Sequence, residues 1–476
     1  MRLDGISRHE WLAMVFIAAA LLLGGGGSPA PHSELMLQVL ACILLLLWLW
    51  LPTPDGRVPA PRDPLAWLFG GLVLAVPVLQ LLPLPPAWWQ ALPGQEGRTA
   101  ALALVGAADQ WQPLSQSPPR TLAALLSLVP PLFAGFAVAA LAPEGRHRVL
   151  LAVAAIVLCS AVLGAAQISL GGDSLRLYAE SHRQYLVGFQ ANRNAQADIL
   201  LIGAVVLGTL FVPMITAVRT RRRRDRSAGR TGSQAWWLVL GGLLALLLLA
   251  VVLTGSRMGI ALIAVAMLAL WLILHPVLGR LKGRRMAAAM AATAAVLLIV
   301  GYVLLQGNTM VQRSAQRFEA TSDPRGELWE DTLFAINEAW PAGVGVGGFQ
   351  PAMLAAERLE VLDGTRPNRA HNDYLEWVLE GGLLAVLIGV AAIGVLMMLA
   401  GRGWRRRPVD RGQVLCGCAV LLIVALHSFV DYPLRSMALA CMFGVGTGLL
   451  AAPPRSGAAS LPGRTVMSRA GAELAA

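Results

Sequence analysis

Apolar runs long enough to cross a lipid bilayer recur along the whole chain and are separated by shorter polar stretches. A transmembrane helix needs roughly 17–25 predominantly apolar residues. Runs of this kind lie near residues 11–27, 35–51, 65–83, 121–142, 149–168, 195–218, 236–253, 258–278, 286–306, 377–400, 414–430 and 436–452. The pattern predicts an all-α polytopic membrane protein with about twelve transmembrane helices.

The composition supports this class. Of the 476 residues, 56% are hydrophobic and only 14% are charged. Soluble domains carry about 25% charged residues, so the composition excludes an ordinary soluble protein.

The formal net charge of +11 acquires its meaning from where the arginines lie. They cluster in alternate polar stretches, and the richest clusters are residues 219–230, 280–285 and 401–411. With a cytoplasmic N-terminus, all three clusters fall in cytoplasmic loops. The positive-inside rule therefore predicts that both termini are cytoplasmic, and it identifies the basic clusters as topology signals rather than a nucleic-acid site.

The predicted helices divide the chain into five parts. These are residues 1–190 with helices one to five and their outer loops, residues 191–306 with helices six to nine, residues 307–375 as a large periplasmic loop, residues 376–452 with helices ten to twelve, and residues 453–476 as a cytoplasmic tail. The large loop itself contains two segments with helical spacing, SDPRGELWEDTLFAINEAW and QPAMLAAERLE.

Between these two segments, residues 343–348 read GVGVGG and satisfy the spacing G-x-G-x-x-G. A dinucleotide site needs a strand before that motif, and here the preceding segment is a predicted helix, so a dinucleotide site is excluded. Two interpretations stay open. The glycines allow close backbone approach either to a substrate or to another helix.

Polar residues cluster at the predicted outer face, at the ends of several apolar runs. Separate parts of the chain bring cations and one imidazole to this face under the predicted topology. The residues are Asn192, Arg193, Asn194, Arg257, Arg325, Arg366, Arg369, His371, His427, Asp431 and Arg435.

Each of these residues also has a purely structural interpretation. An isolated interfacial arginine such as Arg257 usually reaches lipid headgroups. Asp431 and Arg435 are close enough in sequence to pair across a turn, and His371 alone is more often a structural histidine. An acidic stripe is able to solvate the end of a helix that faces the bundle interior. Its members are Asp373, Glu376 and Glu380.

Several arginines and one histidine lie at the same predicted face. A shared chemical role explains this arrangement better than a separate structural role for each residue. Arginine binds phosphate through a planar fork and keeps its charge in a poor dielectric. A lipid-linked diphosphate fits such a face, because its tail stays in the bilayer and its phosphates lie at the interface. A histidine can take a proton from an acceptor hydroxyl as that hydroxyl attacks the anomeric carbon of a sugar. This chemistry needs neither ATP nor a metal, so no cofactor and no metal are predicted.

Five short motifs carry a family resemblance. They are SR at 256–257, R-x-x-x-W at 325–329, P-x-G-V-G-x-G-x-F at 341–349, HNDYL with EGGLL at 371–384, and HSFVDYPLR at 427–435. In combination, over roughly residues 188–440, they resemble the superfamily of O-antigen ligases and O-antigen polymerases. The resemblance implies a multi-spanning helical glycosyltransferase that uses undecaprenyl-diphosphate-linked glycans. Ligases of that family transfer O-antigen to lipid A–core, polymerases join repeat units, and some relatives glycosylate protein.

The resemblance also implies roles for individual residues. The catalytic residues it implies are His371, Arg257 and Arg325. The asparagine-rich entry to a middle span of the family matches Asn192 to Asn194. From the clustering of polar residues at this face, contacts with phosphate or glycan are expected from Asn192, Arg193, Asn194, Arg369, Asn372 and Arg435. Structural support is expected from His427, Asp431 and Glu380. One departure concerns the ligase pattern that follows the histidine, because its final glycine is replaced by Ala385. Ligase and polymerase therefore both remain open.

The predicted location is a bacterial inner membrane, with the site facing the periplasm. The expected partners are the lipid-linked glycan donor, a glycan or lipid A–core acceptor, membrane lipids, and proteins of polysaccharide assembly and chain-length control. Two other functions are alternatives: a transporter or flippase of lipid-linked oligosaccharide, and a structural subunit of an assembly complex. Transporters place polar residues near the bilayer midplane, whereas here Asp198 and Glu380 are the deepest charges in the predicted helices.

Overall fold

The computed structural model of the chain describes residues 5–26, 31–53, 56–171, 173–224, 231–278, 325–361, 366–405 and 411–453. The predicted span 286–306 and residues 225–230, 280–285 and 406–410 of the basic clusters lie outside the described residues.

Helices account for nearly all of the regular structure in the described ranges. They are α1 (Arg8–Leu23), α2 (Pro31–Trp50), α3 (Pro64–Leu81), α4 (Pro86–Trp89), α5 (Glu96–Leu104), α6 (Pro118–Ser127), α7 (Val129–Ala140), α8 (Pro143–Leu170), α9 (Arg193–Arg224), α10 (Thr231–Leu253), α11 (Arg257–Leu278), α12 (Arg325–Ala339), α13 (Phe349–Ala356), α14 (Asp373–Trp404), α15 (Arg411–His427) and α16 (Met437–Leu450). Two short strands, β1 (Pro83–Leu84) and β2 (Gln112–Pro113), pair antiparallel.

Eight candidate spans in the described residues are long and apolar enough to cross a membrane, and α15 and α16 are shorter apolar helices. The all-α polytopic class is thereby confirmed. The helices predicted within the large outer loop are also present, as α12 and α13.

The predicted span 121–142 is built differently from the expectation. It consists of α6 and α7, which follow each other directly around Leu128 to form one candidate span from residue 118 to residue 140. Pro130 and Pro131 stand in the first turn of α7. Proline restricts the residue before it and donates no backbone hydrogen bond, so it favours a new helix start at this place.

Helix α9 lies at the centre of the bundle. It is the most deeply buried of the candidate spans, with 78% of its apolar window inside the protein. Helices α8, α10, α11 and α15 all pack against it. The first turn of α9 is therefore surrounded by the ends of its neighbours, and this arrangement positions the candidate site.

The opposite end of the bundle is held by a buried arginine. Arg146 donates hydrogen bonds to the carbonyl oxygens of Leu141, Ala139 and Ala451 at 2.9–3.0 Å. Helices α7 and α16 both end there, and terminal carbonyls lack partners within their own helices. Arg146 thus fixes the ends of two helices that pack along each other's length.

Candidate active site at the start of helix α14

Helix α14 begins immediately after the candidate histidine. The Asn372 side chain accepts hydrogen bonds from the backbone N–H groups of Tyr374 and Leu375, at 3.0 and 3.1 Å, and caps the helix. His371, one residue earlier, has a φ of +51°, a conformation that residues other than glycine rarely adopt. Such strained residues cluster at functional sites when the surrounding structure holds them in place.

The ring of His371 is held from two sides. Nδ1 lies 3.1 Å from Oδ1 of Asp431, and the ring meets the edge of the Tyr432 ring at a centroid distance of 4.7 Å. The His371 side chain remains 32% exposed. Its other nitrogen, Nε2, has no hydrogen-bond partner among the described residues.

Asp431 is held as an anion. Burial acts to raise its pKa, but hydrogen bonds from His371 and Asn194, with the charges of two histidines, lower the pKa to about 2. The Asn194 amide lies 2.6 Å from the second carboxylate oxygen, Oδ2. Because an anionic carboxylate only accepts hydrogen bonds, the proton between His371 and Asp431 belongs to Nδ1. In the neutral imidazole, Nε2 is then the nitrogen that carries the lone pair.

The Tyr432 ring packs against the His371 ring. Burial, together with the charge of Asp431, raises the pKa of the Tyr432 phenol to about 12. The ring therefore contributes contact area and no charge at neutral pH.

A second histidine–aspartate pair lies deeper in the protein. Nδ1 of His427 is 2.7 Å from Oδ1 of Asp198, and both side chains are buried. The carbonyl oxygen of His427 accepts hydrogen bonds from the backbone N–H groups of Val430 and Asp431. His427 thus contributes to the turn that carries Asp431.

The predicted acidic stripe forms a buried ion network. Nη2 of Arg435 lies 2.8 Å from Glu376 and 2.7 Å from Glu380, while Nη1 of Arg369 lies 2.9 Å from Glu376. Burial acts to lower the pKa of Arg435, but the carboxylates outweigh it and raise the pKa. Asp373 accepts a hydrogen bond from Ser428 instead.

These contacts contradict the simplest structural interpretation of the turn between α15 and α16, which is a pair formed by Asp431 and Arg435. Asp431 and Arg435 do not pair with each other: Asp431 binds His371 and Asn194, and Arg435 binds two glutamates. The stripe likewise does more than solvate a helix end, because Glu376 and Glu380 are fully buried. Compensation of two buried carboxylates requires cations, and the two arginines supply them.

The start of α9 contributes its polar residues in different ways. The Asn192 side chain accepts a hydrogen bond from the backbone N–H of Asn194 at 2.8 Å and caps the helix. The Arg193 guanidinium stacks over the ring of Tyr185 at 4.4 Å. Asn194 reaches the His371–Asp431 pair directly, through Oδ2 of Asp431.

Arg257 and Arg325 are the first residues of α11 and α12. The start of α11 lies tightly against α9, since a side chain at Gly259 would overlap that of Ala197. Arg325 lies close enough to His427 for its positive charge to act on that imidazole. Both arginines therefore stand at the same end of the bundle as His371.

The glycine-rich loop packs on a helix, which decides between the two open interpretations. Helix α14 kinks at Gly382, whose φ is +56°, and a side chain there would overlap the carbonyl oxygen of Pro341. The backbone N–H of Gly345 donates to the freed carbonyl of Glu380 at 2.8 Å. Ala385, the residue that departs from the ligase pattern, is fully buried in a small apolar cluster beside this kink.

Sequence reasoning missed two roles. Asp198 was recognised only as a deep charge, although it binds His427, and Glu376 was not recognised as the shared partner of two arginines. The available signal was spacing. Asp198 follows Asn194 by four residues and so lies on the same face of α9.

Among the described residues, no group of three or more His, Cys, Asp or Glu side chains is arranged to hold a metal ion. The groups that are present can accept a proton at Nε2 of His371, keep the resulting imidazolium beside an anion, and place arginines near developing negative charge.

Comparison with known proteins agrees with the motifs. Residues 242–389 match a family model described as O-antigen ligase, and no curated protein matches the chain. The matched range covers just under a third of the sequence and includes Arg257, Arg325 and His371. Over this range the chain is similar to the O-antigen ligase family, and this similarity confirms the superfamily resemblance predicted from the motifs.

Proposed function

We propose that this O-antigen ligase-like membrane enzyme transfers or polymerises a glycan carried on undecaprenyl diphosphate. The observation that carries the proposal is the His371–Asp431 pair, with Nδ1 bound to an anionic carboxylate and Nε2 left without a partner among the described residues. That arrangement is what a general base for a hydroxyl group requires.

In the proposed step, Nε2 of His371 takes the proton of an acceptor hydroxyl. The hydroxyl oxygen forms a bond to the anomeric carbon of the donor sugar, on the side opposite to the diphosphate. The bond between that carbon and the diphosphate oxygen breaks, and undecaprenyl diphosphate leaves with the electron pair. Asp431 stabilises the imidazolium that forms, and the configuration at the anomeric carbon inverts.

Arg257 and Arg325 are the proposed partners of the departing diphosphate. Each begins a helix at the end of the bundle where His371 lies, and positive charge placed there stabilises the leaving group. Arg369 and Arg435 are a second set of candidate contacts, but both already share their charge with buried glutamates. Asn192, Arg193 and Asn372 are candidate glycan contacts.

The proposed location is a bacterial inner membrane with cytoplasmic termini and this end of the bundle facing the periplasm. The distribution of arginines in the sequence supports that orientation. The lipid tail of the proposed donor lies in the same membrane. The proposed acceptor is either another glycan or lipid A–core.

The test is a product-length assay. Purified protein is incubated with undecaprenyl-diphosphate-linked repeat units without ATP, beside His371→Ala and the control His147→Ala, which alters a histidine at the opposite end of the bundle. We expect His371→Ala to lower the transfer rate by roughly 10²–10⁴-fold and His147→Ala to retain it.

The products distinguish the two subtypes. A ladder of longer lipid-linked chains identifies a polymerase, and transfer only after addition of lipid A–core identifies a ligase. The proposal is wrong if neither acceptor yields product, or if His371→Ala transfers glycan as fast as the unmodified protein.

A further inference from the structure

Two polar contacts join α9 to the turn between α15 and α16. Asn194 binds Asp431 at 2.6 Å, and Asp198 binds His427 at 2.7 Å. The partners are four residues apart on each side, so the contacts are separated by one helical turn along α9. The Asn194 contact involves Asp431, the partner of His371. The contact between Asp198 and His427 lies deeper in the protein interior.

A small cavity lies between these contacts. Its lining includes Asn192, Asn194, Ala195, Asp198, His427 and Asp431. The cavity volume of about 10 Å³ is close to what one buried water molecule needs. The cavity is therefore of a size that holds one water molecule.

One of the lining residues has an unsatisfied polar atom. Oδ2 of Asp198 is buried and has no hydrogen-bond partner among the described residues, although the side chain is completely enclosed. A buried carboxylate oxygen without a partner is unfavourable and rare in folded proteins. A water molecule in the adjacent cavity can donate the missing hydrogen bond.

We propose that a water molecule bound in this cavity, together with Asp198 and His427, positions Asp431 and through it the His371 ring. The inference rests on the proposed function, because it assigns these groups to the reaction of His371. Asp198 and His427 are positioning residues, since they contact neither donor nor acceptor.

The backbone links the Asp198–His427 contact to the position of Asp431. Asp198 fixes the His427 side chain, and the His427 carbonyl oxygen holds the N–H of Asp431 at 3.0 Å. Asn194, one turn earlier on α9, holds Oδ2 of Asp431, and Oδ1 then faces Nδ1 of His371. Loss of the deeper contact frees the turn without removing any group that touches substrate.

Two variants test the inference in the full-length protein. Asp198→Leu removes the deeper contact, and Ala195→Val adds two methyl groups to a side chain that lines the cavity. We expect each variant to lower kcat by roughly 10–100-fold, because small displacements of a catalytic group have effects of that size. The KM for the lipid-linked donor is expected to stay within about twofold, since no substrate contact is lost.

Asp198→Asn is the conservative variant, and Asp63→Asn is a matched control for a buried aspartate at the opposite end. Asn at 198 still offers one oxygen to Nδ1 of His427, so we expect it to keep most of the kcat that Asp198→Leu loses. Asp63→Asn is expected to leave kcat unchanged. Donor binding and thermal unfolding midpoints are measured for all variants to establish that they fold.

The outcomes separate the two proposals. Unchanged kcat in Asp198→Leu and Ala195→Val, with an inactive His371→Ala, overturns the positioning role and leaves the proposed function intact. Loss of donor binding and of thermal stability in parallel with kcat shows a merely structural pair, which also overturns it. Full activity of His371→Ala overturns the proposed function itself, and with it the inference.

Discussion

At the scale of single residues, His371 shows how a strained backbone is held in place. Its φ of +51° costs roughly 1 kcal/mol for a side chain with a Cβ atom. Its neighbours are fixed on both sides: the carbonyl oxygen of Ala370 accepts a hydrogen bond from Trp329, the N–H of Ala370 donates to Glu376, and Asn372 caps α14. These contacts offset the strain and direct the ring towards Asp431.

The strain predicts opposite effects of glycine at two histidines. His371→Gly is expected to be more stable than His371→Ala by roughly 1 kcal/mol, because glycine adopts positive φ without strain. At His147, inside α8, glycine is expected to be less stable than alanine by about 1 kcal/mol. Thermal unfolding of the four variants in detergent measures both differences, and a more stable His371→Ala would contradict the prediction.

Asp431 predicts a pH dependence of stability. Its pKa falls from an ordinary value of 3.8 to about 2 in the folded protein. The anion therefore contributes roughly 2 kcal/mol above pH 4, and this contribution is lost as the pH falls to about 2.

The variant Asp431→Asn lacks that ionisation. We expect the stability difference between the unmodified protein and Asp431→Asn to be largest near neutral pH and to shrink between about pH 4 and pH 2. Unfolding midpoints across this range measure the difference. A difference that stays constant down to pH 2 would show that the charge of Asp431 does not stabilise the fold.

At the scale of elements, the kink in α14 connects the glycine-rich loop between α12 and α13 to the site. At Gly382 the helix interrupts its own hydrogen bonds, and the carbonyl oxygens of Leu379 and Glu380 accept from Val344 and Gly345 instead. Gln80 of α3 also donates to the Glu380 carbonyl at 2.8 Å. The kink thus joins the glycine-rich loop and α3 to the helical turn that carries Glu380.

Gly382→Ala is expected to destabilise the protein by more than about 2 kcal/mol, since its side chain would require positive φ and overlap the backbone of the loop. Gly394→Ala in the same helix is the matched control. No atom lies within 4 Å of a side chain there, and alanine is expected to be neutral or to stabilise by up to about 1 kcal/mol. Denaturation of both variants tests the difference, and equal effects would mean that the kink is not needed.

At the scale of the whole molecule, the two ends of the bundle differ in chemistry. One end collects His371, Asp431 and the ion network of α14, and the other contains the buried Arg146 and the ion pair of Arg148 with Glu10. In the proposed orientation the first end faces the periplasm.

Cysteine labelling tests that orientation. In a variant whose five cysteines are replaced, Arg366→Cys and Gly401→Cys place single thiols at exposed positions at opposite ends of α14. A membrane-impermeant maleimide is expected to label Arg366→Cys in intact cells and to label Gly401→Cys only after the membrane is disrupted. The reverse pattern would invert the proposed topology.

The all-α polytopic class, the position of most spans, helices α12 and α13 and the superfamily resemblance are all predictable from the sequence. These features depend on hydrophobicity and spacing within short segments, which a single sequence shows directly. Which polar residues meet depends on the packing of the helices and is not predictable from the sequence. Asn194 and Asp431 are separated by 237 positions, and Arg435 pairs with Glu376 and Glu380 rather than with its near neighbour Asp431. Such contacts depend on how the helices pack around α9, because a buried charge requires a partner and helix packing brings together charges that are far apart in the sequence.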